Sequence, residues 1–146
     1  MQDLGVIIKA KILDKGLASE SELRGCTEED ILILIQKQHV TRLPDSYKEF
    51  LRAIGRNASR LWLATEYTYD ELIRLKDDAL KLLEQNGNPI ALPDDAFVFH
   101  MIEGLMFYYF HTQNEDNDPS VYIYSEIEHE HSKVNERLSD YLLNIL

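Results

Sequence analysis

Residues 96–111 restrict the fold more than any other part of the chain. Two runs rich in aromatic and β-branched side chains, 96–102 and 105–111, flank Glu103-Gly104. Such runs on either side of a turn pair predict a β-hairpin. With those two residues as the loop, Ile102 stands opposite Leu105. One face then carries Phe97, Phe99, Met101, Met106, Tyr108 and Phe110. It is entirely apolar or aromatic and is the expected core face. The other face carries Val98, His100, Ile102, Leu105, Phe107, Tyr109 and His111. It is only partly polar, so partial cover is expected there too.

The segments before the hairpin are helical in pattern. Leu4, Ile7, Ile8 and Ile12 share a helical face, and Gly16 marks a stop. Residues 17–26 read as a loop. Thr27-Glu28-Glu29-Asp30 has the form of a capping box, with Ile31, Leu34 and Ile35 as the buried face behind it. Pro44 excludes Leu43 from a helix; Tyr47, Phe50, Leu51 and Ile54 then fall on one stripe. Arg60 to Thr65 reads as a short strand around Trp62. Thr68-Tyr69-Asp70-Glu71 is a second capping box. It opens a helix with Leu72, Leu75, Ala79, Leu82 and Leu83 on one face, ending at Asn86-Gly87. Pro89 and Pro93 frame a connector, 114–119 is a loop by composition, and Val121–Tyr124 reads as a strand. From Val134 onward, Leu138, Tyr141, Leu142 and Ile145 recur at helical spacing. Helices, then strands, then a helix predict an α+β fold: one domain over residues 1–146, with an antiparallel β-sheet packed against several α-helices and a C-terminal helix.

The net charge is −11, and its placement carries more meaning than its size. Leu82 to Ser132 holds ten of the 26 acids and none of the 15 Lys and Arg residues. Such a segment repels phosphate and speeds encounter with basic partners; solubility alone is the competing explanation. The charge therefore argues against nucleic acid as a partner. Lys48, Arg52, Arg56 and Arg60 recur every four residues, but this stripe reads as solvated or facing the protein's own acids. The longest aliphatic run, Ile31–Ile35, is too short to cross a bilayer. A single cysteine, Cys26, forms no internal disulfide, and no signal peptide is evident. A cytoplasmic protein that does not engage membranes is expected.

Catalytic signatures are absent from the sequence: no G-x-S-x-G, no phosphate-binding glycine loop and no dinucleotide fingerprint. Cys26 has no histidine near it in sequence. Asp116-Asn117-Asp118-Pro119 breaks the pattern of a calcium loop. In Glu128-His129-Glu130-His131, the two histidines would share a face if the segment were a strand. No third ligand follows at a diagnostic spacing, so an exposed charged segment stands against a metal site. No cofactor and no catalytic residue is expected.

Several segments resemble the SUKH superfamily, which includes bacterial toxin-immunity proteins and relatives of a fungal cell-wall synthesis regulator. Leu43-Pro44-Asp45-Ser46-Tyr47-Lys48-Glu49-Phe50-Leu51 is similar to its signature segment. The helix from Thr27 resembles its acidic leading helix. Ala91-Leu92-Pro93-Asp94-Asp95 to Phe99 resembles its lead into the sheet. Asp118-Pro119-Ser120-Val121-Tyr122 resembles its acid-proline strand, and Leu138-Ser139-Asp140-Tyr141-Leu142 its closing helix. The likeness covers residues 27–146 and leaves 1–26 as an N-terminal extension. It implies that the signature segment is structural. It also implies a non-enzymatic protein-binding domain, most simply an immunity protein that occludes the basic surface of a cognate toxin, a nuclease among the candidates. A regulatory or scaffold module is the alternative, and a metal protein or enzyme using the histidines is the third reading. With the charge pattern, the expected partner-binding residues are Glu115, Asp116, Asp118, Glu126, Glu128 and Glu130.

Overall fold

The computed structural model describes residues 3–59, 61–62, 65–87 and 90–144. These form helices α1 (Leu4–Asp14), α2 (Glu28–Lys37), α3 (Asp45–Ile54), α4 (Tyr69–Gln85) and α5 (Leu138–Asn144). The strands are β1 (Thr65–Glu66), β2 (Ala96–Ile102), β3 (Met106–His111), β4 (Val121–Ser125) and β5 (Glu130–Asn135). They make one antiparallel sheet in the order β1-β2-β3-β4-β5. The fold is α+β with a C-terminal helix, as expected.

Local chemistry sets the helix starts. Thr27 Oγ1 accepts from the Asp30 amide at 3.1 Å, and Asp30 returns the bond to the Thr27 amide at 3.0 Å. The amide and hydroxyl of Thr68 both donate to Glu71 Oε1. Each box satisfies amides that the first helical turn leaves free. Helix α1 packs on α3 and α5 through buried Leu4, Ile8 and Ile12. Gly5 allows the close approach, because a Cβ there would lie 2.6 Å from the Glu49 carbonyl oxygen of α3.

The signature stripe is the centre of the core. Tyr47 is fully buried, and its ring lies 5.2–5.9 Å from those of Phe50, Phe97, Phe99 and Phe110. These offset and edge-on contacts are the favoured aromatic geometries. Helices α3 and α5 cover this face of the sheet: Tyr141 of α5 meets Phe99 edge-on at 5.4 Å. Helix α4 packs on β2 from the other side, and Asn86 just past its end donates to the Tyr124 hydroxyl at 3.0 Å. Both faces of the hairpin are therefore covered, the second more fully than its composition suggests.

The hairpin register differs from expectation in two ways. The loop is Glu103-Gly104-Leu105, with left-handed φ at Glu103 (+53°) and Gly104 (+69°), so Ile102 pairs with Met106 and not with Leu105. A bulge between Val98 and His100 adds a residue to β2. Such an extra residue resets the two-residue alternation. Phe97 still pairs with Phe110, but His100 now pairs with Tyr108 and Met101 with Phe107. Met101 thus leaves the Phe97 face, and His100 and Ile102 join it.

His100 is accommodated there as a neutral ring. The Thr65 hydroxyl donates to the Trp62 carbonyl, so Thr65 Oγ1 accepts from His100 Nε2 at 2.9 Å. Nδ1 is left to accept from the Tyr141 hydroxyl at 2.8 Å. Both ring nitrogens are satisfied without a second proton. Burial pushes the imidazole down to about 4.

Elsewhere the chain departs from expectation at its polar segments. Of the Arg60–Thr65 strand, Leu61 and Trp62 form a turn and only Thr65 enters β1; Arg60, Leu63 and Ala64 lie outside the described residues. Pro89 of the connector and Ile145 of the closing helix lie outside them as well. Strand β5 occupies Glu130–Asn135, where the sequence shows no alternation. Pairing with β4 makes it a strand.

Among the described residues, no strand lies on the outer edge of β2 beside Val98, because β1 pairs with Met101 and Ile102. Gln38, fully buried at the end of α2, fills that gap. Its Oε1 accepts from Val98 N at 2.8 Å, and its Nε2 donates to Val98 O at 2.8 Å and Leu72 O at 2.9 Å. One amide thus replaces a missing strand and ties α2, α4 and β2 together.

Two outcomes are expected. Gln38→Leu strands two buried backbone groups and should destabilise the fold by about 3 kcal/mol in urea denaturation. For His100, the unfolded ring takes its proton near 6.5, whereas the folded ring refuses it until about 4. The unfolded state therefore binds more protons across that window, and stability falls as pH drops from 6.5 to 4. The loss approaches ~3 kcal/mol at the acid end. Urea midpoints measured across this range should fall steeply for the native protein and much less for His100→Gln.

Candidate partner-binding surface

The β3–β4 loop meets the start of α3. The residue before α3, Pro44, supplies no side-chain cap. Asn117 supplies one from across the fold: its Oδ1 accepts from the Asp45 amide at 3.3 Å, and its carbonyl from the Ser46 amide at 3.0 Å. Asp118 does the same for α5, accepting from the Ser139 amide at 2.8 Å and its hydroxyl at 2.6 Å. Within the loop, Asn114 accepts from the Asp116 amide and Asp116 from the Asp118 amide. Arg42 braces the loop through the Thr112 and Asp116 carbonyls. Asp118 is thus half-buried and committed to a helix end, whereas Glu115 and Asp116 stand exposed.

Glu126, Glu128 and Glu130 lie at the far end of β4, in and just after its turn into β5. Five residues of strand, roughly 17 Å, separate the two groups. The structure therefore brings Glu115, Asp116 and Asp118 together, and brings Glu126, Glu128 and Glu130 together, but does not join the two sets. The second set has neighbours that no sequence periodicity marks. The Glu126 amide donates to the Leu105 carbonyl at 2.8 Å, which ties the β4–β5 turn to the β2–β3 turn and to Glu103. Near Asp118, Asp45, Glu49 and Asp140 line a groove of about 430 Å³ between α1, α3 and α5. In sequence, only the caps hint at this meeting of helix starts.

The described residues of the basic stripe, Lys48, Arg52 and Arg56, are paired internally. Arg52 grips Glu28 through two bonds of 2.6 and 3.1 Å. Arg56 grips Asp30 through two of 2.7 and 3.0 Å, with its guanidinium 3.9 Å from the Tyr69 ring centre. Lys48 pairs with Asp45 at 3.6 Å. The Arg56 hydrogen bonds outweigh the effect of burial and hold the Asp30 carboxyl below its usual range. By contrast, Glu115, Asp116, Glu126, Glu128 and Glu130 take part in no ion pair among the described residues. Glu28, Asp30, Asp45 and Asp70 of the helical half are paired, and the acids at the two ends of β4 are not.

The histidines are dispersed. His129 sits in the β4–β5 turn with φ +55°, and His131 bonds to the Tyr109 hydroxyl at 2.7 Å. His111 meets Asp95 at 2.9 Å where the hairpin closes, and His100 is buried. The described residues contain no group of three or more His, Cys, Asp or Glu arranged to hold a metal ion. Cys26 is buried, and its thiol is pushed up to about 12 by desolvation and then by Asp30, the reverse of an activated nucleophile. No helix among the described residues is long and apolar enough to cross a membrane.

No individual curated protein matches the sequence. A family model does, that of the SMI1 / KNR4 family (SUKH-1), over residues 25–144. The match begins at the turn before the Thr27 capping box and spans the Tyr47 stripe, the Asp95 lead into the sheet, the Asn117-Asp118 fastener and the closing helix. Residues 1–24 and 145–146 fall outside it. On that span, the chain belongs to the SMI1 / KNR4 family (SUKH-1).

Proposed function

We propose that this protein is a non-enzymatic binding module that neutralises a cognate toxin by covering the toxin's basic surface. Nucleases are the leading toxin class, because a cleft that binds phosphate must be basic. The observation that carries the reading is the set of unpaired acids. Glu115 and Asp116 at one end of β4, and Glu128 and Glu130 at the other with half-buried Glu126 beside them, take part in no ion pair among the described residues. The Arg and Lys ion pairs fall on acids of α2, α3, β1, α4 and the segment from Glu136 to Asp140, and these carboxylates are left to attract something else. Family membership supports a protein-binding role, and the buried, alkaline-shifted Cys26 offers no nucleophile.

Such a field acts chiefly on encounter. The test uses the product of the gene adjacent to this one, purified and mixed by stopped flow at several salt concentrations. Reversing Glu126, Glu128 and Glu130 to Lys should slow association tenfold or more and flatten its salt dependence. Reversing Glu115 and Asp116 reports the contribution of the other end. Association unchanged by both sets would sink the electrostatic account. A neighbour that is no toxin, with host proteins captured in its place, would favour the regulatory reading.

A further inference from the structure

Isolated apolar side chains on a protein surface are ordinary. Several occur here: Val6, Leu32, Leu80, Ile90 and Val134 are all exposed. Ile127 and Leu105 differ from them in three respects. Ile127, at 82%, is more exposed than any of them; Leu105, at 40%, is not, but the two sit on neighbouring hairpin tips joined by the Glu126–Leu105 backbone bond. The tip is held rigidly. Ser125 Oγ accepts from the Ile127 amide at 3.2 Å, and the Ser125 carbonyl accepts from the His129 amide at 2.8 Å. Left-handed residues Glu103, Gly104 and His129 fix both turns. Finally, Glu103, Glu126, Glu128 and Glu130 lie in or beside the same two turns, and none of them is in an ion pair among the described residues.

We propose that the joined tips are the anchor of the protein interface: Ile127 and Leu105 enter an apolar recess on a partner protein, and the four glutamates engage lysine or arginine around its rim. An apolar centre inside a polar rim is how protein interfaces concentrate binding energy. A rigid turn suits it, because little side-chain and loop freedom is left to lose on binding. Charge selects the occupant. Phosphate-rich nucleic acid and anionic lipid are repelled by these acids, and a second copy would set four glutamates against four. A basic protein surface is the complement that remains. The inference rests on the toxin-binding reading and sharpens it, because it assigns the anchor to the hairpin-tip end of β4 and not to the Glu115 end.

The full-length protein, labelled for NMR, is titrated with two synthetic peptides of equal positive charge. One interleaves lysine with leucine, the other lysine with serine. The lysine-leucine peptide should shift the amides of Leu105, Ile127 and the four glutamates. Ile127→Ser, at a site exposed enough to leave the fold intact, should weaken it about tenfold and leave the lysine-serine peptide unaffected. Replacing the four glutamates by glutamine should weaken both. Lysine-leucine binding that ignores Ile127→Ser, or shifts centred on Glu115 and Asp116, overturns the proposal. A toxin neutralised at full rate and affinity by the Ile127→Ser variant overturns the anchor and leaves the toxin-binding reading standing. Peptides that behave as expected, with no basic toxin neutralised, support the anchor and count against that reading.

Discussion

Helix α3 begins at a proline, with no side chain of its own to cap it, and the fold depends on how that deficit is met. Free amides at a helix start need acceptors. Asn117 provides them through its side chain and its backbone, from the loop between β3 and β4. The next residue, Asp118, caps α5. Two consecutive residues thereby set the starts of both helices that cover one face of the sheet. Helix α1 completes the cluster, since Glu49 of α3 accepts from the Leu4 amide. Three helix starts converge on one groove, and the carboxylates that line it mostly serve these amides and two nearby cations. This is why the acids beside that groove are weaker candidates for a partner than the exposed ones beyond it.

The Tyr47 cluster follows from the same fastening. Once α3 is held at its start, its aromatic stripe is directed at Phe97, Phe99 and Phe110. On the opposite face α4 takes over, and Gln38 closes the open edge of β2 between them. The bulge in β2 reconciles these demands. It keeps Phe99 on the Tyr47 face and also turns His100 toward Tyr141 and Thr65, leaving Met101 for the other side. A residue that reads as polar and outward in the sequence becomes a neutral ring inside the core.

Charge is divided along the same architectural line. In the helical half, α2 and α3 lie side by side, so Glu28 and Asp30 come within reach of Arg52 and Arg56 and form paired bonds. Strands β2 to β4 and their connections lie within Leu82 to Ser132, which contains no base. Their acids collect where an antiparallel sheet must place its connections, at the two ends. The same geometry that separates Glu115 from Glu128 also sets the Leu105 turn beside the Ile127 turn, since alternate hairpin tips of a meander fall at one end.

What the sequence determined by itself was whatever depends on near neighbours. The Thr27 and Thr68 boxes span three residues, and the stripes of α3 and α4 repeat every three or four. The hairpin, the acidic imbalance and the family likeness were legible for the same reason. Tertiary structure decided what depends on residues far apart in the chain. The bulge at Phe99 is invisible to a two-residue period, because it is the extra residue that breaks that period. Strand β5 has no hydrophobic alternation and exists because β4 offers it a ladder. The division of six expected acids into two groups, the commitment of Asp118 to a helix end and the joining of the Leu105 and Ile127 turns all required the strands to be laid in order. Local spacing fixes which face of an element is apolar; only the packed chain fixes which surfaces remain exposed together.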